Sequence, residues 1–143
     1  MAPDDAPPGL VVDETGAQRL IGFVVDLGRG DGTARARLEV GERHLNRHGV
    51  LHGGIVATLL DAASGFAASL SADPQARTLF LTVTLDTQFV APARPGPVEA
   101  TGRVTGGGRR LLFVAADLRC GDGTLLAAST GVFKRADAPE ARP

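Results

Sequence analysis

The sequence has no tryptophan and no tyrosine, and a single cysteine, a single methionine and a single lysine in 143 residues. Without indole or phenol rings it lacks the usual stacking platforms of single-strand readers. Fifteen basic residues against sixteen acidic ones give a formal charge of −1 and no basic stripe, so nucleic acid is not an expected partner. The lone Cys120 rules out an internal disulfide and fits a reducing compartment. No apolar run reaches the ~18 residues expected of a membrane span. The opening MAPDDAPPGL carries two aspartates and no apolar stretch, so it reads as neither signal peptide nor anchor. A soluble, cytoplasmic protein with no membrane partner is expected.

Apolar residues make up 43% and charged residues 22%, ordinary for one globular domain of this length. Fourteen of the fifteen basic residues are arginine, a bias that fits a GC-rich genome better than a function. Residues 1–9 read as a flexible leader, 10–135 as one domain and 136–143 as a flexible tail. IGFVVDLGRGDGTARARLEV contains two strands around a tight GRGDG turn. Ala34, Ala36, Leu38 and Val40 alternate there with Arg35, Arg37 and Glu39. The turn is no phosphate loop, because a strand follows it instead of a helix. Later come FLTVTLDTQFV, GPVEATGRVT, RRLLFVAADLRC and TLLAASTGVFK, separated by APARPG, GGG and GDG turns. The pattern predicts an α+β fold with about six antiparallel strands curled around one long helix. One helix leaves part of the sheet edge uncovered, which invites a second copy of the chain.

That helix is predicted over about residues 54–69, after the polar loop HLNRHGVLHGG. A 3.6-residue wheel separates two stripes. Ile55, Leu59, Ala62, Ala63 and Phe66 are assigned to the sheet. Gly54, Ala57, Thr58, Asp61, Ser64, Gly65 and Ala68 form a second stripe of small residues around one carboxylate. No lysine or arginine lies between residues 48 and 76 to pair with Asp61. In a small-residue crevice a carboxylate becomes a better base or nucleophile, whereas on a plain solvated stripe it would do nothing. Gly53 and Gly54 open the helix, where backbone N–H groups lack intrahelical partners and can stabilise an oxyanion. Gly53 precedes Asp61 by eight residues, roughly 12 Å of rise, so one subunit would struggle to aim both at one carbonyl. A site shared across a dimer follows from that spacing.

HLNRHGVLHGGIVATLLDAASGFAA resembles the motif of PaaI-like thioesterases of the hotdog-fold superfamily: Asn, a few residues, HGG, then Asp on the helix. The later strands and the PARPG turn are similar too, so the resemblance runs from about Ile21 to Lys134. It implies a hotdog fold, homodimers commonly paired into homotetramers, and metal-free hydrolysis of acyl- or aryl-CoA thioesters with no cofactor beyond the substrate's own coenzyme A. Asp61 then matches the catalytic carboxylate, Gly53 the oxyanion-hole amide, Asn46 the polar residue near the thioester or water, and Thr82 the hydroxyl that orients water. His52, Gly54 and Phe89 fall at the substrate, and Arg109, Arg110 and Lys134 would meet the nucleotide end of CoA. Those cations also read as a plain hairpin tip, and Arg77, Arg94 or Arg103 could serve. Phenylacetyl- or hydroxyphenylacetyl-CoA is the implied substrate, medium-chain acyl-CoA the second.

Other readings compete. His44, His48 and His52 recur every fourth residue, a zinc-like spacing, but the loop lacks helical character. No G-x-S-x-G elbow points to a serine hydrolase. Cys120 reads as a buried structural thiol. A hotdog dehydratase would rely on a histidine with an acidic partner, and a non-catalytic acyl-CoA-binding protein would share the fold without turnover.

Overall fold

The computed structural model describes residues 3–137; Met1, Ala2 and most of the expected tail, 138–143, lie outside it. In chain order the elements are β1 (Leu10–Val11), α1 (Gly16–Ile21), β2 (Val24–Asp26), β3 (Ala34–Val40), α2 (Gly53–Ala72), β4 (Phe80–Phe89), β5 (Gly96–Gly107), β6 (Leu111–Cys120) and β7 (Leu125–Arg135). One seven-stranded antiparallel sheet, ordered β1-β2-β3-β5-β6-β7-β4, packs around α2. The expected six strands become seven because Leu10–Val11 pairs with Val25–Asp26. Within the expected leader, the Leu27 N–H donates to the Gly9 carbonyl at 2.7 Å.

A short helix absent from the sequence reading, α1, is capped at one end by the Thr15 hydroxyl and at the other by Gly22 in the left-handed region. Its buried Gln18 donates to the Val11 carbonyl at 2.7 Å and so ties the helix to the first strand. The β2–β3 hairpin is held by Asp26. It accepts the Gly28 N–H at 2.8 Å and faces Arg29 and Arg37, and together these hold its carboxyl below the usual range.

α2 runs further than expected, to Ala72, with Asp73 closing it through an N–H bond to the Ser69 carbonyl. At 20 apolar-rich residues it is long and apolar enough to cross a membrane by composition, which revises the reading that no stretch reaches that length. Here it is the central helix, with Val56, Leu59, Leu60, Ala63, Ser64, Ala67, Ala68 and Ser69 buried. Two stripe assignments need correction. Ser64 and Ala68, given to the open stripe, are fully buried, while Ile55, Ala62 and Phe66 are only half-buried. The reason lies in β5, whose Gly102 backbone presses on the helix at Ala63 and Ser64; a Cβ on Gly102 would collide with the Ala63 carbonyl oxygen. Small helix residues there mark the sheet's closest approach.

β4 is the outer strand on one side, pairing only with β7. Leu79, Leu81, Val83, Phe89 and Val90 along it are each more than half exposed.

Candidate active site

Three elements meet along the β4 edge: the polar loop before α2, α2 itself and the helix-facing side of β4. Residues of β7 show which side that is, because Ala127, Ser129, Gly131 and Phe133 are buried against the helix. Their cross-strand partners are Phe89, Thr87, Leu85 and Thr82. Between Thr82 and Thr84 the register slips by one residue. Thr84 opposes the outward Val132, so an unbroken alternation through Val83 would turn Thr82 outward as well; Val83 as an extra, unpaired residue resets the phase. The bulge aims Thr82 at the helix, and its hydroxyl donates to Asp61 Oδ1 at 2.6 Å.

Asp61 is half-buried and has no cation within ion-pair distance among the described residues. Thr82 is its one side-chain hydrogen-bond partner among them. The carboxylate is thus oriented without being neutralised, and Oδ2 is left with no donor among the described residues.

The opposite end of the strip is the start of α2. His52 caps it, its Nδ1 accepting the Gly54 N–H at 2.9 Å. The N–H groups of Ile55 and Val56 both reach the His52 carbonyl. Gly53 is left as the first-turn N–H with no acceptor among the described residues. An unsatisfied amide at a helix N-terminus is a donor waiting for an anion. The Phe89 ring lies over it, 3.4 Å from where a Gly53 side chain would begin.

Asn46 stands at the same end. The turn Asn46–Gly49 closes by a Gly49 N–H to Asn46 carbonyl bond of 3.0 Å, with Gly49 at a positive φ of 74°. Asn46 Oδ1 accepts from the His48 and Val50 N–H groups at 2.9 and 3.2 Å. Its carbonyl side is therefore committed to the loop, and Nδ2 makes no hydrogen bond among the described residues. Asn46 and Gly53 line one open pocket of about 310 Å³ with Leu51, Val56, Phe89 and Leu126.

The two ends do not meet within one chain. Thr82 and Asp61 stand at one end of the strip and Phe89 and Gly53 at the other, separated by two turns of helix. Arg109 and Arg110 sit exposed at the β5–β6 tip, and Lys134 faces away from the helix between Leu81 and Leu111. None of the three forms an ion pair among the described residues. They lie toward the Asp61 end, since Leu81 next to Thr82 pairs with Lys134.

Among the described residues no cluster of three or more His, Cys, Asp or Glu could hold a metal. The three histidines are committed separately. His44 is buried, with Nδ1 accepting from the Gly41 N–H and Nε2 at 2.8 Å from the Ile21 carbonyl, while His48 is exposed and His52 caps α2. Cys120, expected to be buried, is half-buried and donates to Asp122, which with the Thr124 N–H lowers that carboxyl to about 2. A second groove, about 750 Å³, lies on the other face of the sheet. Its cations are occupied by neighbours, Arg35 and Arg37 both donating to Glu99. Chemistry is better served at the β4 edge, where the donors and the carboxylate are unspent.

Residues 48–127 match the model of the thioesterase superfamily. The conserved protein PA5202 of Pseudomonas aeruginosa has a structure 31% identical in sequence, covering 85% of this chain and 94% of that one, with a TM-score of 0.76. BH2602 of Bacillus halodurans, solved with CoA, is 26% identical over 87% of this chain and 81% of its own, also at 0.76. Human acyl-coenzyme A thioesterase 13 is 28% identical over 102 residues, 71% of each chain. Helix, curled sheet and motif-bearing loop together place this chain in the hotdog-fold thioesterase superfamily.

Proposed function

We propose that this protein is an acyl-CoA thioesterase whose site is completed by a second copy of the chain. The observation that carries the reading is the pair of uncommitted groups at opposite ends of one exposed strand: the Gly53 N–H and the Asp61 carboxylate. If two β4 edges pair antiparallel with Thr82 beside residue 89 of the other chain, a two-fold axis exchanges the ends. Asp61 of the partner subunit then lies by Gly53 of the first. Such pairing also covers the exposed apolar residues of β4 and satisfies its unpaired backbone groups.

In this arrangement the thioester carbonyl receives the Gly53 N–H and Asn46 Nδ2, both donors with no acceptor among the described residues. Charge developing on the oxygen is stabilised there, with the helix dipole behind it. Asp61 of the partner subunit, steadied by its own Thr82, removes a proton from a water whose oxygen adds to the carbonyl carbon, or itself attacks that carbon to form a mixed anhydride that water then hydrolyses to the free acid. Either route expels CoA thiolate, a good leaving group that needs no strong acid. Arg109, Arg110 and Lys134 stand on the Asp61 side as cations without an ion pair among the described residues, available to the phosphates of CoA. Support for the substrate comes from the human relative's name and from the Bacillus structure with CoA. Phenylacetyl- or hydroxyphenylacetyl-CoA, with medium-chain acyl-CoA second, remains the proposed substrate.

Release of CoA from an acyl-CoA panel tests this. Asp61→Asn keeps the shape and the Thr82 contact but removes the base, and should slow turnover about 10²- to 10⁴-fold with little change in melting temperature. Unchanged turnover would sink the assignment, and tight acyl-CoA binding with no wild-type turnover would favour the non-catalytic binding protein.

A further inference from the structure

The 310 Å³ pocket at the start of α2 has a lining that bears on which acyl groups the site accepts. Asn46 is the one polar side chain among its lining residues, and the rest are apolar, including Val50, Leu51, Val56, Phe89 and Leu126. Its mouth carries the free Gly53 N–H, and Val56 lies on the same side of the helix one turn further in. Its outer wall is pinned in place. The Leu51 N–H donates to the Ala93 carbonyl at 2.8 Å, and the Val90 and Ala91 N–H groups both donate to the Leu126 carbonyl, at 2.8 and 3.0 Å.

We infer that this pocket takes the acyl group, selects for compact uncharged acyl groups, and has its depth set by Val56. The inference rests on the thioesterase reading above and deepens it. A carbonyl held at Gly53 has its acyl carbon continuing inward past Val56. No lysine, arginine or histidine side chain lines the wall, so a carboxylate-bearing acyl group would lose its hydration with no counter-charge. A ring hydroxyl would meet no partner beyond Asn46, whose oxygen is already committed. At about 310 Å³ the space is at the small end of ligand pockets, which suits a single-ring or medium-chain acyl group. A long fatty chain would protrude. The unpaired cations lie toward the other end of the strip, so acyl group and nucleotide take opposite sides of the seam.

Calorimetric binding to the full-length Asp61→Asn protein separates this inference from the hydrolysis mechanism. Hexanoyl- and phenylacetyl-CoA should bind roughly tenfold or more tightly than CoA, from burying a few methylene equivalents. Succinyl- and 4-hydroxyphenylacetyl-CoA should gain less, and palmitoyl-CoA no more than hexanoyl-CoA. Adding Val56→Phe should abolish the hexanoyl gain while leaving CoA bound. Should Val56→Phe not fold, Phe89→Ala, at an exposed position, should cut the same gain several-fold. A hexanoyl gain that survives the tested variant, or an equal gain for succinyl-CoA, would place the acyl group elsewhere and overturn the inference. The hydrolase reading fails on a different result, the absence of turnover by the wild-type protein, and these binding outcomes still decide the pocket in that case.

Discussion

At the scale of single residues, the site depends on what each polar group has already spent. Asn46 has committed its oxygen and His52 its Nδ1, whereas the Gly53 N–H and one Asp61 oxygen have not been used. Asp61 and Gly53 were singled out from residue type and spacing, because a cation-free carboxylate and a Gly-Gly helix start are visible in any sequence, whereas Asn46 came only from the family resemblance. The contact between Thr82 and Asp61 was not legible. It depends on the bulge at Val83, and strand alternation alone gives no sign of an extra residue. In the proposed mechanism Thr82 is a positioning residue. Thr82→Val should lower kcat about 10- to 100-fold with KM little changed, and Thr82→Ser should restore most of it; steady-state kinetics on the preferred acyl-CoA checks both. A role limited to packing would instead be rescued by valine and not by serine.

Among the elements, α2 and the five longer strands follow from hydrophobic periodicity and turn chemistry. What escaped were the pieces without a period: β1 is two residues long, and α1 is six residues set by its caps. The helix wheel misled at Ser64 and Ala68 because small side chains suit two kinds of neighbour. They admit a partner across an open stripe or a sheet pressed close, and here β5 takes the second option through Gly102. Gly102→Ala should therefore destabilise the protein by about 1–3 kcal/mol, since the backbone it meets cannot rotate away as a side chain would. Thermal or urea unfolding measures it. Retention of wild-type stability would mean that the helix is not seated as tightly on the sheet as described.

For the molecule as a whole, the two sheet edges differ. One ends in the two-residue β1, too short to template another chain, while the other ends in the ten-residue β4 with apolar side chains exposed along it. The sequence already pointed to a bare edge, since one helix cannot cover such a sheet, but which strand lay outermost depended on the return of β7 to pair with β4. In the proposed pair Val83→Asp would set a carboxylate near the seam, three residues from Asp86 on each strand. The expected outcome is a protein that elutes as a monomer at micromolar concentration and has lost turnover, while its circular dichroism stays that of the wild type. A dimer that persists with full activity would remove β4 as the seam.

The exchange of ends across that seam has a consequence for mixed populations. In the proposed arrangement each two-fold pair would hold two sites, and each site would draw its acid from one chain and its amide from the other. In a hybrid of one chain lacking the acid and one with a blocked helix start, both faults fall in the same site. The other site is left intact, so two inactive preparations, co-refolded, would regain activity that neither has alone.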